Sequence, residues 1–349
     1  MNAAHRRSTG IAFPLRTRSP HIADGSSGLT SRGSGSPQRL ETRVSSGTES
    51  LSRRFAGLDE WSTLDVLKAL HEGQLAAVAA VGSALPALSD AVEAASALLA
   101  RGHGRLIYAG AGTSARVAVQ DGVELSPTFD WSQARIGFAI AGSDKALWCS
   151  IEGAEDSEED AKSRIRDLDL GEHDVVIGIA ASGTTPYTVA ALTEARTRGA
   201  LTIGIANNAG APLLAASEHP ILVETGEEVI GGSTRMKAGT AQKIVLNLFS
   251  TAVMVRLGRV YKGMMVDFRV TNAKLRRRSE AMVARIAGCD PARARQALIE
   301  AEGDVKLAAL VALGVRREEA KAQLRRHGGN LRLTLRDVRT EKPHSPGVA

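Results

Sequence analysis

Five short stretches of this chain concentrate the residue types that bind anions or move protons. In the first, the apolar run Val175-Val-Ile-Gly-Ile-Ala180 leads into Ala181-Ser182-Gly183-Thr184-Thr185-Pro186, ahead of a helix-like stretch from Tyr187 to Arg198. That order sets three hydroxyls and a glycine at a helix N-terminus, where free N–H groups and the helix dipole favour an anion. Pro186 suits the first helical position, where its missing N–H has no partner to lose. The turn has no lysine, so it is not a nucleotide phosphate loop; a small phosphorylated metabolite fits better. An ordinary capped strand-to-helix turn is the plainer alternative.

The second stretch is a companion turn. Arg105-Leu-Ile-Tyr-Ala109 runs into Gly110-Ala-Gly112-Thr113-Ser114-Ala-Arg116. Taken alone it satisfies the dinucleotide pattern G-x-G-x-x-[GA], which also requires an acidic residue at a strand end about 20 residues on. Pro127-Thr-Phe-Asp130-Trp stands there instead and reads as a Pro-led loop. Two glycine- and hydroxyl-rich turns in one sheet predict a shared sugar-phosphate cleft at the strand C-terminal ends.

Carboxylates supply the third and fourth stretches. Glu124, near the end of the helix that starts at the second turn, could reach a phosphate ligand's reactive carbons; a solvated helix-end carboxylate is the competing reading. In the acidic run Glu152-Gly-Ala-Glu155-Asp-Ser-Glu158, Glu152 and Glu155 would share a face if the segment were helical. Two carboxylates from separate loops can divide acid and base roles, although most such runs are solvated faces. The fifth stretch is Glu228-Val-Ile-Gly-Gly-Ser233-Thr234-Arg235-Met-Lys237-Ala-Gly-Thr240, just before a long helix. Arg235 can grip an anion bidentately and Lys237 can act as a point charge; the other possibility is a surface loop with a capping threonine.

The elements around these residues follow from pattern. Residues 1–50, rich in Ser, Gly, Arg and Pro, read as a disordered tail. Residues 51–95 read as N-terminal helices, 96–274 as the sugar-phosphate-binding α/β domain, and 275–338 as a small helical domain without a solenoid-type repeat. Apolar runs at Arg105–Ala109, Ile136–Ala141, Val175–Ala180, Leu201–Ala206 and Ile221–Val223 alternate with helices. That alternation predicts a mostly parallel sheet, of about five strands, covered on both faces.

Composition excludes several classes. The 349 residues are 43% hydrophobic but only 3% aromatic, so aliphatic side chains must fill the core. Cys149 and Cys289 alone make neither a disulfide framework nor a metal-type cluster. No run approaches the roughly 18 consecutive apolar residues of a spanning helix, and nothing marks a membrane partner. The formal charge of +6 comes with no recognition motif or aromatic interleaving, so nucleic acid is not an expected partner.

The five motifs in combination, with Met264-Met-Val-Asp267 leading to Thr271-Asn-Ala-Lys274, resemble the N-acetylmuramic acid 6-phosphate etherases. The likeness spans about Leu58 to Arg336. The glucokinase regulatory proteins share the same sugar isomerase (SIS) architecture. The resemblance implies a SIS-type αβα sandwich with a small C-terminal helical domain, in a cytoplasmic homodimer of peptidoglycan recycling. It further implies a lyase that uses no metal or redox cofactor and releases D-lactate and N-acetylglucosamine 6-phosphate by elimination and hydration. Motif matching puts Glu124 on the family's proton-donor glutamate and Glu155 on its second active-site glutamate. It assigns substrate and phosphate binding to Gly112, Thr113, Ser114, Ser182, Gly183, Thr184, Thr185, Ser233, Thr234, Arg235 and Lys237. The chain departs from the family at Ala115, at Thr184 (where the family usually has arginine) and at Glu227. A non-catalytic sugar-phosphate sensor and a sugar-phosphate isomerase are the alternatives on the same scaffold.

Overall fold

The computed structural model describes residues 47–341 except Arg269 and Thr271. Most of the expected N-terminal tail, and Thr271 of the Thr-Asn-Ala-Lys motif, lie outside the described residues. Two helices come first, α1 (Thr63–Ala80) and α2 (Leu85–Leu99), separated by a 3-10 turn at Val81–Ala84. Ser62 caps α1 by accepting from the Asp65 N–H at 3.2 Å. Helix α2 runs past the expected limit at residue 95. Thr63–Leu99 is also long and apolar enough, by length and composition, to cross a membrane, against the reading from consecutive apolar residues. Its alanines, leucines and valines raise the mean hydropathy, while interspersed Gly, Ser and Pro keep them from forming an unbroken apolar run. Leu88, Ala91, Val92, Ala95 and Leu99 of α2 are buried in the protein's own core.

Alternation then proceeds through β1 (Leu106–Gly110), α3 (Gly112–Phe129), β2 (Ile136–Ile140), α4 (Glu158–Asp167), β3 (Val175–Ala180), α5 (Pro186–Thr197), β4 (Leu201–Ala206), α6 (Pro212–Ala216), β5 (His219–Leu222) and α7 (Lys237–Arg256). Helix α3 continues through Pro127, where a Pro-led loop was expected. Pro127 gives up one N–H of the ladder, and the helix ends two residues later at Phe129. The strands pair in parallel in the order β2-β1-β3-β4-β5, with Leu106 opposite Ile136 on one side and Val175 on the other. Side chains alternate between two cores. Leu106, Tyr108, Ile177 and Ile203 face the layer of α2, α3 and α7, while Ile107, Ala109 and Val176 face that of α4, α5 and α6. This is the expected αβα sandwich with a five-stranded parallel sheet.

The strand order positions the site. From β1 the chain moves outward to β2, then returns to the other side of β1 as β3. The crossovers therefore diverge between β1 and β3, opening a crevice at the strand C-terminal ends. Both glycine- and hydroxyl-rich turns sit on those two strands.

Beyond α7 come the hairpin β6 (Val260–Tyr261) and β7 (Met264–Met265) and five helices: α8 (Ala273–Ala287), α9 (Pro291–Glu300), α10 (Val305–Ala312), α11 (Arg317–Arg326) and α12 (Leu331–Glu341). They gather around a hydrophobic core of their own. The pair α9–α10 maps onto α11–α12 at a constant offset, Pro291 onto Arg317 and Val305 onto Leu331. The correspondence reaches the caps, since Asp304 accepts from the Leu307 N–H at 2.9 Å and Asn330 from the Leu333 N–H at 3.2 Å. Buried Leu298 and Val305 likewise match buried Leu324 and Leu331. The segment is a duplicated helical hairpin of two units, too short to form a solenoid array.

Candidate functional site

A cleft of about 370 Å³ opens at the β1/β3 crevice, within the size range of small-molecule sites. One wall is the start of α3. Ala111 is extended and supplies no side-chain cap, and Gly112 has a positive φ of 55°. The first N–H groups of α3 are therefore left for solvent or a ligand. Gly112, Thr113 and Ser114 all line the cleft. The second wall is the turn before α5, where Ser182, Thr184, Thr185 and Pro186 line the same space. Thr185, the N-cap residue of α5, also makes no capping bond. Within the turn, Ser182 Oγ accepts from Thr184 N at 3.2 Å and from Thr184 Oγ1 at 3.0 Å. Gly183 (φ 70°) makes the bend, and a Cβ there would lie 2.4 Å from Ala211 Cβ. It lies between lining residues without lining the cleft itself.

Other helix starts contrast with these two. Ser157 caps α4, and the fully buried Glu228 accepts from the N–H groups of Lys237 and Ala238, each at 3.0 Å. The first N–H groups of α7 are thus already taken by a side-chain acceptor. Lys237 Nζ donates to the Glu227 carbonyl at 2.8 Å. Of the loop before α7, Thr234 lines the cleft, whereas Ser233, Arg235 and Lys237 are not among its lining residues. A phosphate would therefore sit between α3 and α5. The hydroxyl turn of α5 has a measurable consequence. Ser182→Ala or Thr184→Ala should raise KM with little change in kcat, since phosphate contacts persist from ground to transition state. Each bond lost to a charged group costs about 1.5–3 kcal/mol. Steady-state kinetics with unchanged KM in both variants would remove this turn from the phosphate site.

The carboxylates separate. Glu155 lines the cleft with Asp156, on a 3-10 turn at Ala154–Asp156 preceded by Gly153 at φ 68°. That turn breaks any helix through Glu152, so Glu152 and Glu155 do not share a helical face as the spacing allowed. Glu124 is exposed near the far end of α3, about 18 Å along the axis from Gly112 at helical rise, and does not line this cleft.

Three polar features escaped the sequence reading. Glu49 lines the cleft from a 3-10 turn at Gly47–Glu49, inside the stretch assigned to the tail. The tail boundary at residue 50 is thus overturned for residues 47–50, where Thr48 is fully buried. Asp121 lies three residues before Glu124 yet is buried. It accepts from Tyr108 Oη at 3.0 Å, Asn247 Nδ2 at 2.7 Å and Ser250 Oγ at 3.0 Å, linking β1, α3 and α7. Burial pushes its carboxyl up, against those hydrogen bonds. Glu228 was visible as an acid in a glycine-rich loop, but a cap reaching across nine residues leaves no local signature.

Comparison with known proteins adds to this geometry. Residues 90–196 match the Glucokinase regulatory protein N-terminal SIS domain, and residues 155–252 match the SIS domain. The N-acetylmuramic acid 6-phosphate etherase of Deinococcus radiodurans is 48% identical over 289 residues, covering 82% of this chain and 94% of the relative. The etherase of Streptomyces coelicolor is 45% identical over 85% of this chain and 94% of the relative. That of Halalkalibacterium halodurans is 43% identical over 83% and 98%. With a five-stranded parallel sheet, a cleft at its switch point and near-full-length likeness to these relatives, the chain belongs to the N-acetylmuramic acid 6-phosphate etherase family.

Proposed function

We propose that this chain is a lyase that cleaves the D-lactyl ether of N-acetylmuramic acid 6-phosphate, giving N-acetylglucosamine 6-phosphate and D-lactate in peptidoglycan recycling. The observation that carries this reading is the pair of uncapped helix starts facing one cleft with Glu155 on its wall. The helix starts bind the 6-phosphate, aided by the hydroxyls of Thr113, Ser114, Ser182, Thr184, Thr185 and Thr234. In the open-chain sugar the C2 proton lies α to the aldehyde. Glu155 takes that proton, lactate departs from C3 as an acid protonates its oxygen, and water adds across the resulting double bond.

The acid in this scheme is Glu124, and its distance from the cleft of its own chain asks for a second copy. Helices α1, α3 and α7 are packed together and leave Leu75, Val78, Val123, Leu248 and Val255 between 41% and 57% exposed. Apolar side chains in such number beside Glu124 support burial in a homodimer, with Glu124 of each chain entering the cleft of the other. The free thiols of Cys149 and Cys289 fit a reducing cytoplasm.

Purified protein incubated with N-acetylmuramic acid 6-phosphate should release D-lactate stoichiometrically with N-acetylglucosamine 6-phosphate. Sugar-phosphate binding without lactate release would leave a sensor. Aldose–ketose conversion without release would make it an isomerase.

A further inference from the structure

The cleft is not built by the sheet and its turns alone. Gly47–Glu49 forms a strap, ahead of α1 in sequence, that is clamped by a single asparagine. The Thr48 N–H donates to Asn208 Oδ1 at 3.1 Å, and Thr48 Oγ1 accepts from Asn208 Nδ2 at 3.0 Å. The same Nδ2 donates to the Ser182 carbonyl at 3.5 Å, in the phosphate turn. Thr48 is fully buried, so its N–H and its hydroxyl oxygen both find their partner in this one side chain. Gly47 has φ 76°, and a Cβ on it would stand 2.0 Å from Asn208 Oδ1; only glycine fits the contact. Together these restraints hold the next residue, Glu49, on the cleft wall. Its Oε2 lies 3.3 Å from the position a Cβ would take on Gly232, beside the loop that contributes Thr234.

A carboxylate is an odd occupant of an anion site. It accepts hydrogen bonds at several lone pairs but, when ionised, donates none. It therefore favours a ligand that brings O–H or N–H donors along with its phosphate. We propose that Glu49 is a specificity-determining residue of this cleft, its carboxylate accepting a hydrogen bond from a hydroxyl or amide N–H of the sugar while the starts of α3 and α5 hold the phosphate. The inference rests on the sugar-phosphate reading of the cleft but not on the etherase chemistry.

Two ligands separate this role from a structural one. Isothermal titration calorimetry of the full chain with N-acetylglucosamine 6-phosphate should show affinity falling about 10- to 100-fold in Glu49→Ala, the loss of one charge-assisted hydrogen bond. Inorganic phosphate should bind that variant about as well as the wild type, because a carboxylate donates no hydrogen bond to it. Glu49→Gln keeps the shape of the strap and should fall between wild type and Glu49→Ala for the sugar phosphate. A strap that merely supports the turn at Ser182 would weaken both ligands together, and that result overturns the proposal. So does unchanged sugar-phosphate affinity in Glu49→Ala, or a wild type that does not bind N-acetylglucosamine 6-phosphate. A wild type that binds it but releases no lactate from the ether substrate overturns the proposed reaction and leaves the Glu49 assignment standing.

Discussion

Mixing Glu124→Gln chains with Glu155→Gln chains should restore lactate release to about a quarter of the wild-type level, for a homodimer that pairs at random. Each variant alone should turn over roughly 10²–10⁴-fold more slowly, the usual range of general acid–base assistance. In a mixed dimer, the cleft of the Glu124→Gln chain keeps its own Glu155 and receives an intact Glu124 from the partner. The other cleft has neither. Half the dimers are then mixed, and half their clefts are complete. Sequential refolding or co-expression with two affinity tags makes the mixture, and a D-lactate assay reads it. Isotope exchange assigns the roles. Glu124→Gln should still exchange the C2 proton with deuterated water, because abstraction precedes protonation of the leaving oxygen, whereas Glu155→Gln should lose exchange and elimination together. The reverse pattern exchanges the two roles. Absence of recovery in verified mixed dimers removes Glu124 from the partner's cleft.

Asp174→Ala should lower stability by about 1.5–3 kcal/mol, the loss of charge-assisted hydrogen bonds to a part-buried guanidinium that keeps the Leu168 and Asp169 carbonyls. Asp174 is 5% exposed. Its carboxylate accepts from Arg105 N at 2.9 Å, Arg105 Nε at 3.1 Å, Arg105 Nη2 at 2.6 Å and Gly171 N at 3.0 Å. It joins the approaches to β1 and β3, the strands that flank the cleft. Burial alone would push this carboxyl up, but the Arg105 guanidinium and the two backbone N–H groups outweigh it and hold the group below its ordinary value of 3.8. A carboxyl depressed in the folded state contributes fully above its unfolded value and loses that contribution as pH falls through the folded one. Thermal melts should therefore show wild type and Asp174→Ala roughly 2–5 °C apart at pH 7, converging below pH 3.8. A gap that stays constant down to acid pH would mean that the charge is not what Asp174 contributes.

How much of this was legible beforehand divides by distance along the chain. The turns Gly112–Ser114 and Ser182–Pro186 could be read because strand, turn chemistry and helix start lie within a dozen residues, each fixed by local sterics and hydrogen bonding. The duplicated hairpin of α9–α12 was equally present as Gly303-Asp304 and Gly329-Asn330, but only capping geometry made those two short signals recognisably the same. Glu152 and Glu155 were paired on the assumption of a helix that Gly153 interrupts. Glu49 had no local signal, since its position depends on Asn208, far along the chain in the loop after β4.

The sequence by itself determined an alternating α/β chain with anion-binding turns after two of its strands, because apolar periodicity and turn chemistry are properties of neighbouring residues. Only the tertiary structure decided that those turns share one crevice, because the order β2-β1-β3-β4-β5 is set by how whole faces bury one another. It also decided that the start of α7 is already occupied by Glu228 while those of α3 and α5 are left open. The same packing brings Glu49 to the cleft wall and leaves Glu124 away from it. A carboxylate's role follows from what it is packed beside, and for these residues those partners are distant in the chain.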